Sequence, residues 1–184
     1  MEIFDVIDKD GNPTGETVTR EQAHTEGIPH RTAHIWILRE KEGRVQVLLQ
    51  KRAMNKDSFP GMFDTSSAGH IQAGDEPLES ALRELQEELG IHATSEQLHF
   101  AGTFPISFAK EFHGKMFRDE EVAFVYIYDQ PVNITELVLQ KEEVEAVECF
   151  DLEKTYEECR HCRDKFCVPS GGFEVVRKYL RENK

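Results

Sequence analysis

No cysteine precedes Cys149, and the four present, Cys149, Cys159, Cys162 and Cys167, crowd toward the C-terminal end. That distribution excludes a disulfide-stapled scaffold, and reduced thiols in the cytoplasm are the expected state. Long apolar runs are also missing: none approaches the ~20 residues needed to span a bilayer. The stretch Met1–Gly15 is polar with early acids, so it does not read as a secretion signal. Positive charge is scarce. Lys plus Arg number 22 against 35 for Asp plus Glu, a net charge of −13. A field of that sign repels nucleic acid and anionic lipid, so neither is an expected partner. It would equally repel a polyphosphate, unless local lysines, arginines or divalent cations invert it.

What remains is a globular composition: 184 residues, 39% hydrophobic and 31% charged. One domain spanning residues 1–184 is expected, with no repeat and no linker. "IFDVID" reads as a strand running into the turn "KDGNPTG". "VTREQAHTEGIPH" reads as one helical turn and a loop. "RTAHIWILRE" and "RVQVLLQKRA" read as adjacent strands, followed by a loop and short strand in "MNKDSFPGMFDTSSAG". "QLHFAGTFPISF" and "EEVAFVYIYD" are further strands, with "AKEFHGKMFRD" expected as the turn between them. "VEAVECF" is a last strand, and "DLEKTYEECRHC" and "GFEVVRKYLREN" are helices.

The stretch "AGHIQAGDEPLESALRELQEELGI" carries the chemistry. Leu78, Ala81, Leu82, Leu85 and Leu89 share one helical face, and Glu84, Glu87 and Glu88 share another. Asp75 is expected at the N-cap, Pro77 in the first turn and Gly90 just past the end. Three neighbouring carboxylates repel one another, and a divalent cation offsets this well. Mg2+ takes hard oxygen ligands and keeps positions for water and substrate phosphate. A solvated acidic face is the competing reading. Arg83 can pair with one carboxylate and fix its rotamer.

Gly69, Asp75, Arg83-Glu84-Leu85 and Glu87-Glu88-Leu89-Gly90-Ile91 resemble the Nudix box, GX5EX7REUXEEXGU, over residues 69–91. The one departure is Asp75, where the pattern has Glu. The resemblance implies an α/β fold, the Nudix α/β/α sandwich with a mixed central sheet. It implies Mg2+-dependent hydrolysis of a diphosphate linkage in a nucleoside-diphosphate-type or related organic diphosphate, with Mn2+ as an alternative ion. Glu84, Glu87, Glu88 and Gly69 would form the metal site, Arg83 would orient it, and a small-molecule diphosphate would be the partner.

A second resemblance covers roughly Phe4 to Val122: the chain is similar to type I isopentenyl diphosphate isomerase, a divergent member of the same superfamily. It implies a further metal site from His24, His30, His70, Asp119 and Glu121, and diphosphate contacts from Arg52 and Lys56, with His30 and His70 also near substrate. The isomerase's catalytic cysteine falls at Ala68, and the glutamate helix, degenerate in the isomerase, is nearly complete here. The expected activity is therefore hydrolysis. An isomerase and a non-catalytic diphosphate sensor are the rival readings. Glu121 is a candidate for the water-activating base, with Glu142 and Glu143 as rivals. Phe59 and Met62 are pocket candidates, and Trp36 is expected in the core. "CRHCRDKFC" invites zinc through Cys159, Cys162 and Cys167 with His161 or Cys149. A single CXXC without a second pair argues against it. The sequence leaves the oligomeric state open, a homodimer included.

Overall fold

The computed structural model describes residues 1–161 and 164–183. Its centre is strand β3 (His30–Lys41), buried along most of its length. β3 pairs with β4 (Arg44–Arg52) and β6 (Ser67–His70) antiparallel along one edge, and with β8 (Lys115–Tyr128) parallel along the other. β5 (Phe63–Asp64) and β9 (Val144–Asp151) extend the sheet from β4, and β7 (His99–Phe112) closes the far side against β8. Parallel and antiparallel pairs in one sheet make it mixed.

Alternation along β3 builds two cores. Ala33, Ile35 and Ile37 face helix α2 (Pro77–Leu89), which contributes Ala81, Leu85 and Leu89. Trp36 and Leu38 face the opposite way, toward helices α3 (Leu152–His161) and α4 (Ser170–Glu182) and their Leu152, Phe173 and Val176. This is an α/β/α sandwich, as the sequence implied, and Trp36 is in its core. Gly172 is needed for close approach: a Cβ there would lie 2.6 Å from the Trp36 ring. A third, small core of Phe4, Val18 and Ala23 joins β1 (Ile3–Ile7), β2 (Pro13–Thr19) and helix α1 (Arg20–Glu26).

Three local expectations need correction. The sequence over β2 predicts a turn and a helix start, yet β2 pairs with β1 in a separate two-stranded sheet. The helical turn expected near residue 20 is a seven-residue helix, because Thr19 and Gln22 cap it reciprocally and Gly27 ends it in the left-handed conformation. The long turn expected over Ala109–Asp119 is strand almost throughout. His113 and Gly114, both with positive φ, make a tight hairpin turn that lets pairing reach Phe112–Lys115.

No helix among the described residues is long and apolar enough to cross a membrane.

Candidate active site

Helix α2 begins at Pro77 with Glu76, not Asp75, at the N-cap, and no side chain caps it. Asp75 is engaged elsewhere: its carboxylate accepts from Arg83 at 2.7 Å. The same guanidinium lies 3.4 Å from Glu84 and from the His70 carbonyl, so Arg83 ties the helix to the strand before it. Gly90 ends α2 with φ 69°, and its N–H returns to Gln86 and Leu85. A Cβ on Gly90 would meet Val138 at 2.9 Å. The tight end lets the later segment dock on the helix: Val138 N–H donates to Leu89 and Gln140 N–H to Glu88. That docking brings Gln140 and Glu143 over the carboxylates.

Glu84, Glu87 and Glu88 line one cleft of about 370 Å³, graded from exposed Glu87 to buried Glu88. Gly69 lines it too, and a Cβ there would fall on the Glu84 carboxyl group. Glu88 accepts hydrogen bonds from Ser67 (2.6 Å), Gln50 (3.1 Å) and the Ala68 N–H (3.2 Å). Burial pushes its carboxyl up to about 8, against the Ser67 hydrogen bond and helped by the charge of Glu84. Burial likewise pushes Glu84 up to about 7, with Arg83 opposing and Glu87 assisting. Buried neighbouring carboxylates that raise one another's pKa are suited to hold a cation.

A second cluster lies in the same region. His24, His30 and His70 place nitrogens within 4.8 Å of one another, and His30 does the same with Asp119 and Glu121. His24 and His70 face each other through Nε2 atoms 3.2 Å apart. Phe4 stacks against His30 and His70, and Phe117 against His24. His24 Nδ1, His30 Nε2 and Asp119 Oδ1 are buried without a hydrogen-bond partner among the described residues. His24 and Asp119 approach to 3.4 Å, as do His30 and Glu121, but without hydrogen-bond geometry. Burial raises Asp119 to about 6, aided by Glu121. Burial also acts upward on Glu121, but His30 and His70 outweigh it and hold that carboxyl well below the usual range. Unpartnered imidazole and carboxylate atoms converging on one point fit a metal.

Cations line the cleft as well, although acids outnumber them. Arg52 and Lys56 line it, as expected, already paired: Arg52 with Asp64 at 3.0 Å and with Ser58, Lys56 with Glu143. Phe59 lines it as well, with Phe108 and Phe117 from the β7–β8 hairpin.

Some sequence readings shift. His30 is fully buried and does not line the cleft, so its expected substrate contact is replaced by a place behind His24 and His70. Met62 does not line the cleft; its carbonyl takes the Arg52 N–H. Of the rival bases, Glu143 lines the cleft and exposed Glu142 does not. Cys149 and Cys159 pack against different cores on opposite faces of the sheet, which separates two of the zinc candidates. Cys162 lies outside the described residues. Cys167 does line the cleft, but its thiol donates to the Phe63 carbonyl, and burial drives its pKa far up, away from a thiolate.

Sequence reasoning missed Arg20, His34 and Gln50, all on the cleft wall. The available signal for His34 was that it shares a strand face with His30 and Thr32, at alternate positions.

A sheet sandwiched by helices, with a glutamate helix ending beside a glycine-bearing strand, defines a Nudix-type protein. The comparisons agree. The NUDIX domain family model matches residues 28–171, and the chain belongs to the Nudix family. It is 41% identical over 166 residues to Nudix hydrolase 3 of Arabidopsis thaliana, a match covering 89% of this chain and 20% of that protein. It is 37% identical over 143 residues to an uncharacterized Nudix hydrolase of Clostridium acetobutylicum, covering 78% of this chain and 66% of that one. The chain thus spans less than two thirds of either relative. The fold is similar to that of DR0079 from Deinococcus radiodurans, with a TM-score of 0.69, 15% identity, and coverage of 96% and 98%.

Proposed function

We propose that the protein hydrolyses a diphosphate linkage in a small organic diphosphate, of nucleoside-diphosphate or related type, with Mg2+ or Mn2+. The observation that carries this reading is one cleft holding both the carboxylate set Glu84, Glu87 and Glu88 and the cations Arg20, Arg52 and Lys56. In a protein of net charge −13 these local cations, together with metal ions bound by the carboxylates, would offset the repulsion of a polyphosphate.

In this reading Glu84, Glu87 and Glu88, beside the Gly69 backbone, hold divalent cations. His24, His30, His70, Asp119 and Glu121 hold a second site. Bound cations would neutralise phosphate charge and lower the pKa of an attacking water. The chain does the rest. Arg83 fixes Glu84. Ser67, Gln50 and the Ala68 N–H fix Glu88. Arg52, Lys56 and Arg20 orient the phosphates. His70 lines the cleft beside them. Glu143, which lines the cleft, takes the water's proton once a phosphate displaces it from Lys56. Positioning and charge stabilisation provide most of the rate in such a displacement.

A phosphate-release screen over diphosphate compounds with Mg2+ and Mn2+ tests this. Turnover of none of them, in the presence of either ion, would defeat the reading. Deuterium exchange into the allylic positions of isopentenyl diphosphate above the no-enzyme control would support the isomerase instead. The expected result is none, because Ala68 cannot transfer a proton and the Cys167 thiol stays protonated. Arg52→Ala should raise KM roughly ten- to hundredfold with a smaller change in kcat, if the guanidinium binds ground and transition states alike. An unchanged KM would remove Arg52 from the clamp.

A further inference from the structure

Three cleft-lining side chains bury a polar atom that has no hydrogen-bond partner among the described residues: His24, Asp119 and His34. The first two face each other in the histidine–carboxylate cluster, where a metal would satisfy them. His34 belongs to neither group of metal-ligating side chains. It is 6% exposed, and its Nδ1 is an orphan. Buried polar atoms are rarely left so, and each one asks for a ligand or a water.

Nδ1 of His34 finds no partner among the described residues. Its strand neighbours in register are Ala68 on β6 and Val125 on β8. Phe104 meets the ring edge-on at 5.7 Å. Ala68 ends at its Cβ, so nothing polar reaches the imidazole from β6. Burial holds His34 below the ordinary histidine range, although the carboxylates of Glu121 and Asp64 pull upward. A neutral imidazole offers one donor and one acceptor. That pair suits an uncharged group better than a phosphate, which the cations and metals already serve.

Resting on the hydrolase reading above, we propose that His34 is a specificity-determining residue. Its imidazole hydrogen-bonds the organic group attached to the diphosphate, so the substrate carries a hydroxyl, amide or ring nitrogen there. Diphosphates of plain hydrocarbons are then poor ligands, because they leave the imidazole unpaired.

The test is binding rather than turnover, by calorimetry with methylene-bridged analogues that are not cleaved. The probes are α,β-methylene-ADP and methylene-bridged UDP-glucose, against the bisphosphonate ester of pentanol. Wild type should bind at least one polar analogue more tightly than the pentyl compound. His34→Phe keeps the ring and its contact with Phe104 but loses both nitrogens. It should weaken that polar analogue about tenfold, the scale of one neutral hydrogen bond, and leave the pentyl compound within about twofold. His34→Gln, which retains a donor and an acceptor, should recover part of the loss. Equal weakening of polar and apolar analogues marks a purely structural histidine and overturns the inference. So does a wild type that prefers the pentyl compound or binds no polar analogue at millimolar concentration. Failure of the hydrolase reading shows separately, as analogue binding with no phosphate release from the parent compounds.

Discussion

Glu88→Gln should do two opposite things: cut turnover roughly 10³-fold and stabilise the metal-free protein at pH 8. The first follows from its place among Glu84, Glu87 and the Gly69 backbone. The second follows from its titration. Burial raises the Glu88 carboxyl from 4.5 to about 8 and Glu84 to about 7. Between pH 4.5 and 8 the metal-free native state therefore holds protons that the unfolded chain has released. Stability is greatest below the ordinary carboxylate range and falls as pH rises through this window, by up to about tenfold in the folding constant per pH unit for one such group. Glutamine carries no proton to lose, yet its amide oxygen still accepts from Ser67 and Gln50. Thermal midpoints with a chelator at pH 5 and pH 8 read this out. The gap between variant and wild type should widen in the variant's favour at pH 8. Adding Mg2+ or Mn2+ should narrow it by stabilising wild type more than the variant. A gap independent of pH, or undiminished turnover, would remove Glu88 from the metal site.

That prediction was largely legible in the sequence. Helix α2 announces itself through apolar spacing, Pro77 and Gly90, all within a short window where local physics decides. The histidine–carboxylate cluster was legible only through resemblance, because its residues come from four elements far apart in the chain. His24, His30, His70, Asp119 and Glu121 mean nothing by spacing alone. The errors share a cause. β2 reads as a turn because Pro13 and Gly15 lie at its start, while its partner β1 supplies the pairing. The β7–β8 hairpin looked interrupted because His113-Gly114 was lost among charged residues. Asp75 looked like a cap because Arg83, eight residues on, is invisible to a capping rule. Arg20, Gln50 and His34 join the cleft through tertiary packing, which periodicity does not encode.

Gly69→Ala should reduce turnover roughly 10²-fold while leaving the fold intact. The usual reason for a required glycine is a left-handed backbone, and that reason does not apply here: Gly69 is not in that region, whereas Gly74 and Gly90 are. Gly69 sits in β6 opposite Ala33, on the face that α2 covers. A methyl group there would occupy the space of the Glu84 carboxyl group, with both its oxygens 2.5 Å from the new carbon. The strand is held by β3 and the helix by its leucine face, so the side chain is what yields. Glu84 would swing off Arg83 and away from Glu87 and Glu88, and metal affinity should drop about 10- to 100-fold. Mn2+ titration followed by electron paramagnetic resonance measures that drop, and circular dichroism checks the fold. A shorter acid tests the cause. Glu84→Asp withdraws the carboxyl by one methylene, so the alanine should cost much less in that background than in wild type. If Gly69→Ala costs the same in both, close approach of Glu84 is not why this position is glycine.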